Sequence, residues 1–255
     1  MLLASWNVNG LRAVLKKGFL DWLEEAQPDI LSLQETKLQA EQIPASMQAP
    51  AGYQVWWSHA ERKGYSGVAL LSKVPPREVR ETFGHPRFDA EGRTLVADFD
   101  DFTLIGGYFP NGGQGPERLA FKLDYYEALL AYVEGLHAQG RSVIITGDLN
   151  TCHMERDIAR PDANRKTSGF MDVERAWIDR YLEAGLVDTF RMFEEGGDRY
   201  SWWSYRGGAR GRNVGWRLDY FLVSEALRAR VETADILDDV MGSDHCPVTL
   251  RLRDG

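Results

Sequence analysis

Long apolar runs are missing from the chain. No stretch approaches the roughly 18 consecutive apolar residues that span a bilayer, and the opening "MLLASWNVNGLR" has neither a basic leader nor an extended apolar core. A membrane role is therefore not expected, and the reading is a soluble cytoplasmic protein. Cysteine is scarce: Cys152 and Cys246 are the only two. Two thiols make no disulfide framework, and a reducing compartment follows. Repeats, low-complexity tracts and linker-like shifts in composition are also lacking, so residues 1–255 read as one domain. Basic residues are outnumbered, 30 Lys and Arg against 38 Asp and Glu, for a net charge of −8. A general affinity for polyanions is excluded, although a local basic surface is not.

What the sequence does contain is a series of short apolar runs with the look of strands. They are 2–6, 30–33, 53–58, 67–72, 94–99, 102–109, 142–146, 218–224 and 247–252. Helical spacing is found over 11–26, 116–138 and 172–184; the second carries Leu119, Leu123, Tyr126, Leu130 and Val133, with Pro116 near its start and Gly140 past its end. Many strands and few helices predict two sheets packed face to face with helices outside.

The apolar runs end at polar clusters. The first leads into Asn7 and Asn9, the second into Glu35, and 102–109 carries Tyr108 and leads to Asn111. The run 142–146 leads into Asp148 and Asn150, and "GSDHCPV" sets Asp244 and His245 before the last strand. Any one of these is ordinarily a turn residue or a helix cap. Asp219 differs, because it lies within an apolar run, where a carboxylate needs a partner. His245 is the natural one, and the pair would favour a charged ring; a purely structural hydrogen bond is the alternative. Alternation along a strand puts Asn7 with Asn9 on one face, and Asp148 with Asn150 on another. If the strand ends converge, Glu35, Asp148, Asp219 and Asp244 share a pocket and need a cation. Oxygen donors without a thiolate or histidine cluster suit Mg²⁺ or Mn²⁺, the chemistry of phosphate-ester hydrolysis.

"WWSYRGGARGRNVGW" (202–216) holds Arg206, Arg210 and Arg212 in a glycine-rich loop free of acidic residues. It reads as a phosphate-binding segment or a solvated hairpin tip. Trp202 and Trp216 are candidate pocket walls, whereas Trp6, Trp22 and Trp177 are expected in the core. Arg12 and Lys17 are candidate phosphate contacts, and Asn111 and Asn164 candidate substrate contacts. The segment 164–170 is expected to border the pocket. Cys246 is expected to be a small buried residue, and His59, His85, His137 and His153 are given no role.

In order and spacing, "WNVNGLR" (6–12), "LQETK" (33–37), "GYSGVALLS" (64–72), "YFPN" (108–111), "GDLN" (147–150), "NVGWRLDYFLVS" (213–224) and "SDHCPV" (243–248) resemble the exonuclease III-type apurinic/apyrimidinic endonucleases. These belong to the wider endonuclease/exonuclease/phosphatase superfamily. The resemblance runs nearly end to end and implies a four-layer α/β/β/α sandwich. It also implies a Mg²⁺-dependent nuclease that cuts 5′ to abasic sites in double-stranded DNA, removes 3′ blocks, degrades 3′→5′ and works as a monomer. By resemblance Glu35 ligates the metal, with Asn7, Asp148, Asn150 and Asp244 around it. Asp148 aligns or activates water, with His245 the alternative base; His245 with Asp219 faces the phosphate, and Tyr108 donates to it or acts on the leaving oxygen. Trp202 and Trp216 match the aromatic wall of a small apolar pocket for a baseless sugar. Two positions depart: Asn9 stands where animal members carry Asp, as in the bacterial pattern, and Gln114 stands where some relatives place an inserting Arg. Relatives acting on inositol phosphates or sphingolipids carry other loops, and the arginine-rich loop favours DNA.

Overall fold

The computed structural model describes residues 1–50 and 52–253. Its frame is two six-stranded mixed sheets. The first is built from β1 (Leu2–Asn7), β2 (Ile30–Gln34), β3 (Gln54–Ser58), β4 (Val68–Ser72), β13 (Val231–Ile236) and β14 (Val248–Leu252), in the order β13-β14-β1-β2-β4-β3. The second uses β5 (Glu78–Arg80), β6 (Thr94–Asp98), β7 (Thr103–Tyr108), β8 (Val143–Asp148), β9 (Leu186–Asp188) and β12 (Asp219–Ser224), ordered β5-β6-β7-β8-β12-β9. Between β9 and β12, a short pair of β10 (Trp202–Trp203) and β11 (Gly215–Trp216) stands apart.

The two sheets share a plan. In each, one parallel pair lies at the centre, β1 with β2 and β7 with β8, and every other pairing is antiparallel. Parallel neighbours need a crossover. Helices Leu11–Leu15 and Phe19–Ala26 supply it in the first sheet and helix Pro116–Ala138 in the second. Strands covered on both faces read as unbroken apolar runs, and β2, β4, β8 and β12 are buried throughout.

Three apolar clusters define four layers. Leu3, Ile30, Leu70 and Leu250 meet Leu104, Ile144 and Phe221 between the sheets. Trp6, Val14, Phe19 and Leu23 cover the outside of the first sheet. Tyr126, Leu129, Val133, Trp177 and Tyr181 cover the outside of the second. The α/β/β/α sandwich is therefore present. Trp6 and Trp177 are buried as expected, with Trp22 half-buried against Trp6.

Three local expectations need correction. The helix expected over 11–26 is two helices, parted at Gly18, whose φ of 90° no ordinary helix residue adopts. In helix Pro116–Ala138 the fully buried face is Lys122, Tyr125, Tyr126, Leu129, Val133 and Leu136, so Leu119, Leu123 and Leu130 fall on its margin. Strands β5, β9 and β13 were not anticipated, whereas the hairpin alternative for 202–216 is met by the antiparallel pair β10–β11.

Candidate active site

The carboxyl ends of the two central parallel pairs open on the same side of the sandwich. Asn7 closes β1, and Glu35 follows β2 at once; Tyr108 and Asp148 end β7 and β8 as register partners. Asp219, at the start of β12, also pairs in register with Asp148. Asp244 and His245 arrive on the segment before β14, which is fastened to β1 and to the residue preceding β10. Ser243 Oγ donates to the Asn7 carbonyl (2.8 Å), Trp6 Nε1 to the His245 carbonyl (3.1 Å), and the Cys246 amide to the Ser201 carbonyl (2.9 Å). Cys246 is buried, as expected.

The alternation argument for the asparagines fails. Asn9 (φ 45°) and Asn150 (φ 52°) have left the strands and adopt left-handed backbone, which asparagine tolerates. Each amide instead bonds two residues back: Asn9 N to Asn7 Oδ1 (3.0 Å) and Asn150 N to Asp148 Oδ1 (2.8 Å). The turns still bring all four residues to the site. Glu35 is also left-handed (φ 51°), an uncommon state for glutamate that structure must enforce. The Gly10 amide to its carbonyl (2.7 Å) and the Thr36 amide to Gly67 O (3.0 Å) hold it there.

Within the cleft the carboxylates are bridged. Asn7 Nδ2 donates to Glu35 Oε1 (3.0 Å) and Asp148 Oδ2 (2.9 Å). Asn9 Nδ2 and Trp202 Nε1 donate to the two oxygens of Asp244, at 2.9 and 3.1 Å. Asn150 Nδ2 is tied to the Phe109 carbonyl (2.8 Å), and its Oδ1 accepts from Asn111 Nδ2 (3.2 Å). His245 Nδ1 lies 2.8 Å from Asp219 Oδ2, which also accepts from Ser201 Oγ at 2.6 Å. The other ring nitrogen, Nε2, is 3.8 Å from Asp148 Oδ2.

These contacts set the charges. Burial alone would lower the His245 pKa, but Asp219, Asp148 and Asp244 prevail and push it up to about 10, so the ring is a cation at neutral pH. Burial raises Asp148, with Asp219 and Glu35 adding to it against the pull of His245. Burial also works to raise Glu35, yet Lys37 at 2.8 Å and the Asn7 amide hold it below its ordinary value. Asp244 is likewise lowered in spite of burial, by His245, Trp202 and Asn9. Tyr108 is raised well above a normal phenol by burial and by Glu35; the Arg93 guanidinium, 4.7 Å from its ring centre, acts the other way.

One ligand atom each from Glu35, Asp148 and His245 lie within 4.8 Å of one another. The Glu35 and Asp148 oxygens at that spacing fit a hard divalent cation, whereas the protonated His245 ring donates only and is no ligand. Asp244 is not in this group, and Asn7 and Asn150 bridge or brace the carboxylates, so the expected five-residue ligand set is looser than the sequence suggested.

The site floors a cleft of about 800 Å³. Trp202 and Trp216 line it, paired across β10–β11 edge to face at 6.0 Å, and residues 166–169 border it as expected. The cleft mixes Leu218, Met171 and the tryptophans with Asn111, Lys166 and the acidic floor, so it is larger and less apolar than anticipated. Among the basic candidates, Arg12 and Arg206 are exposed, and Lys17 Nζ reaches the Gly242 carbonyl (3.1 Å) from an exposed position. Arg210 does not fit a free phosphate contact: its guanidinium bonds the carbonyls of Asp238, Val240 and Ser243 and stacks on Trp203, bracing the loop. Asn164 turns its amide to the Ala159 and Arg160 carbonyls and does not line the cleft. Gln114 is exposed and lines a separate groove beside Tyr65 and Arg118.

Sequence reasoning missed Lys37, Arg93 and Ser201. Lys37 had a signal, since it stands two residues after Glu35 in "LQETK". Arg93 and Ser201 had none, because the site residues they serve, Tyr108 and Asp219, lie 15 and 18 residues further on.

Acidic residues around a buried His–Asp pair, at the strand ends of a two-sheet sandwich, define a metal-assisted phosphoesterase. Residues 4–245 match the Endonuclease/Exonuclease/phosphatase family, and the chain belongs to it. Within that family it is of the exonuclease III-type apurinic/apyrimidinic endonuclease kind, a DNA-repair nuclease. It is 49% identical over 252 residues to an exodeoxyribonuclease of Bacillus subtilis, covering 98% of each chain. It is 42% identical over 255 residues to the DNA repair nuclease APEX1 of Danio rerio, covering 99% of this chain and 82% of that one. In three dimensions it is similar to a 3′-5′ exonuclease (NExo) from Neisseria meningitidis, with a TM-score of 0.91, 30% identity and full coverage of both chains.

Proposed function

We propose that this cleft hydrolyses the phosphodiester 5′ to an abasic site in double-stranded DNA, and trims or unblocks 3′ ends, with Mg²⁺ as the working metal and Mn²⁺ as a substitute. The observation that carries the reading is the convergence of Glu35, Asp148 and the Asp219–His245 pair beneath Trp202 and Trp216.

Glu35 and Asp148 would hold the divalent ion, with Asp244 as an outer carboxylate, and the ion would neutralise charge on the phosphate. Asp148 takes the proton of the attacking water. Its oxygens are aimed by the Asn7 side chain and the Asn150 amide, and burial makes it more basic than an exposed aspartate. His245 presents Nε2 to the phosphate as a fixed cation, since its Nδ1 is taken by Asp219. Tyr108 keeps its proton and donates it as a hydrogen bond. The tryptophan wall receives the baseless sugar, which costs less to unstack than a paired nucleotide. Arg12, Lys17 and Arg206 contact flanking phosphates, offsetting locally the acidic total. The enzyme acts as a cytoplasmic monomer.

The test is a duplex with one tetrahydrofuran abasic analogue, incubated with Mg²⁺ and then with EDTA. Cleavage 5′ to the lesion that EDTA abolishes is the expected result. An intact duplex together with phosphate release from an inositol phosphate, or tight duplex binding without cleavage under any metal, overturns the reading.

A further inference from the structure

Helix Pro116–Ala138 turns one lysine inward. Lys122 is fully buried, and its Nζ donates to Glu174 Oε1 (2.6 Å) and to the Asn150 carbonyl (2.7 Å). Glu174 is equally buried. Its remaining contacts all go to one short stretch: Ser168 Oγ at 2.8 Å, the Gly169 amide at 2.6 Å and the Met171 amide at 3.2 Å. That stretch is a wall of the cleft. It is also tightly seated. A Cβ on Gly169 would come within 3.1 Å of both the Asn150 carbonyl and the Trp216 ring. Across the opening, the Gly112 amide donates to Ser168 Oγ (3.1 Å).

A buried ion pair is a poor way to gain stability, since well-packed apolar residues of like volume do as well or better. This one joins the loop that carries Asn150 to the wall seated against it, which the Cys152 amide also bonds at the Gly169 carbonyl (2.8 Å). Arg165, Lys166 and Thr167, just before the wall, are exposed. The Glu174 carboxylate thus gathers three donors from the wall, and Lys122 fastens that carboxylate to the catalytic loop.

We propose that the Lys122–Glu174 pair is a specificity-determining strut that sets the aperture of the cleft, admitting a sugar without a base in preference to an intact nucleotide. Neither residue reaches the substrate; both act by position. The inference rests on the cleft reading given above. Glu174→Gln replaces one acceptor oxygen with an NH₂ group that faces the wall's own N–H donors, and the wall moves outward. Lys122→Met frees the carboxylate from Asn150. In each case the pocket widens and discrimination falls.

The experiment compares two substrates with one enzyme preparation: incision of a tetrahydrofuran duplex and removal of an intact 3′-terminal nucleotide, both as kcat/KM. A ratio of the two is independent of the folded fraction. The expected result for each single variant is a fall in that ratio of ~10-fold, the scale on which pocket shape discriminates. Lys122→Met combined with Glu174→Gln leaves no unpaired buried charge and serves where a single variant does not fold. Ser168→Ala, which removes one tether and no charge, shifts the ratio in the same direction by less. Parallel loss of both activities, with the ratio within about twofold of wild type, overturns the strut. Failure of the wild-type enzyme to incise the tetrahydrofuran duplex would instead overturn the cleft reading.

Discussion

Replacing Asp219 with Asn removes one charge from the site and keeps its shape. In the native enzyme Asp219 lies 2.8 Å from His245 Nδ1, with both side chains buried. Raising that ring from 6.5 to about 10 corresponds to roughly 5 kcal/mol of preference for the cation, at 1.36 kcal/mol per pKa unit. Asp148 and Asp244 supply part of this, but Asp219 is the largest opponent of burial. Without it, burial drives the ring toward the neutral form. A wild-type ring with a raised pKa is charged throughout the neutral range and loses its proton only as pH approaches 10. In Asp219→Asn that loss moves to below neutrality. At pH 7.5 kcat falls by ~10²-fold, the usual cost of one preorganised charge stabiliser. The variant's kcat relative to wild type rises as pH is lowered toward 5.5, although protonation of the Asp148 base, whose pKa is pushed up to about 7 by burial, lowers the absolute rate of both. The assay is kcat on the tetrahydrofuran duplex from pH 5.5 to 9 at saturating Mg²⁺. A variant with wild-type kcat, or a variant-to-wild-type ratio that does not rise with acid, would refute the cationic role of His245.

Asp148→Asn and His245→Ala each lower turnover by ~100-fold or more under single-turnover conditions; a near-normal rate in either removes that residue from the chemistry. Asn7→Ala unties Glu35 from Asp148 and raises the Mg²⁺ concentration for half-maximal activity by ~10-fold or more, measured by metal titration after EDTA treatment. Asp157 is buried between Arg217 (2.6 Å) and Arg191. Burial opposes its charge, but the two guanidinium groups hold its pKa far below the usual carboxylate range. Its stabilising effect is therefore complete above the unfolded carboxyl value and is lost as pH falls toward the folded one. Asp157→Asn costs about 3 kcal/mol in urea unfolding at pH 7, and the deficit narrows on acidification below pH ~4; an unchanged midpoint at pH 7 counts against the assignment.

The strands that build the site are all among those readable from sequence. They are mostly apolar and nearly all buried: β1, β2, β7, β8 and β12. The unread strands, β5, β9 and β13, are sheet edges. An edge has one neighbour and a polar flank, so its sequence shows little: "EVR", "LVD" and "VETADI" look like ordinary surface. Asp219 was conspicuous as a charge inside an apolar run, and it led correctly to His245. Lys122 is the same kind of misfit, a charge on the inner face of a helix. It stayed hidden because a lysine fits a helix pattern easily, and because Glu174 lies 52 residues away. Arg210 failed in the opposite sense. An arginine in a glycine-rich loop suggests a ligand, yet the loop needed its guanidinium to satisfy three carbonyls of its own surroundings.

The shared plan of the two sheets explains why the site lies where it does. A parallel pair leaves its carboxyl ends free of hairpins, because the chain must depart toward a crossover helix. Each sheet has one such pair at its centre, and face-to-face packing brings the two open ends together. Four strand ends then deliver Asn7, Glu35, Tyr108 and Asp148 to one opening. The chain must turn sharply there, and Asn9, Glu35 and Asn150 do so with positive φ. For Glu35 this costs on the order of 1 kcal/mol or more. That cost is tolerable because the turn is bonded to neighbouring segments at Gly10, Thr36 and Gly67. A carboxylate carried on so constrained a turn has little freedom to reorganise. A site that must meet charge developing on a phosphate gains from that rigidity, since oriented groups then need not move as the reaction proceeds.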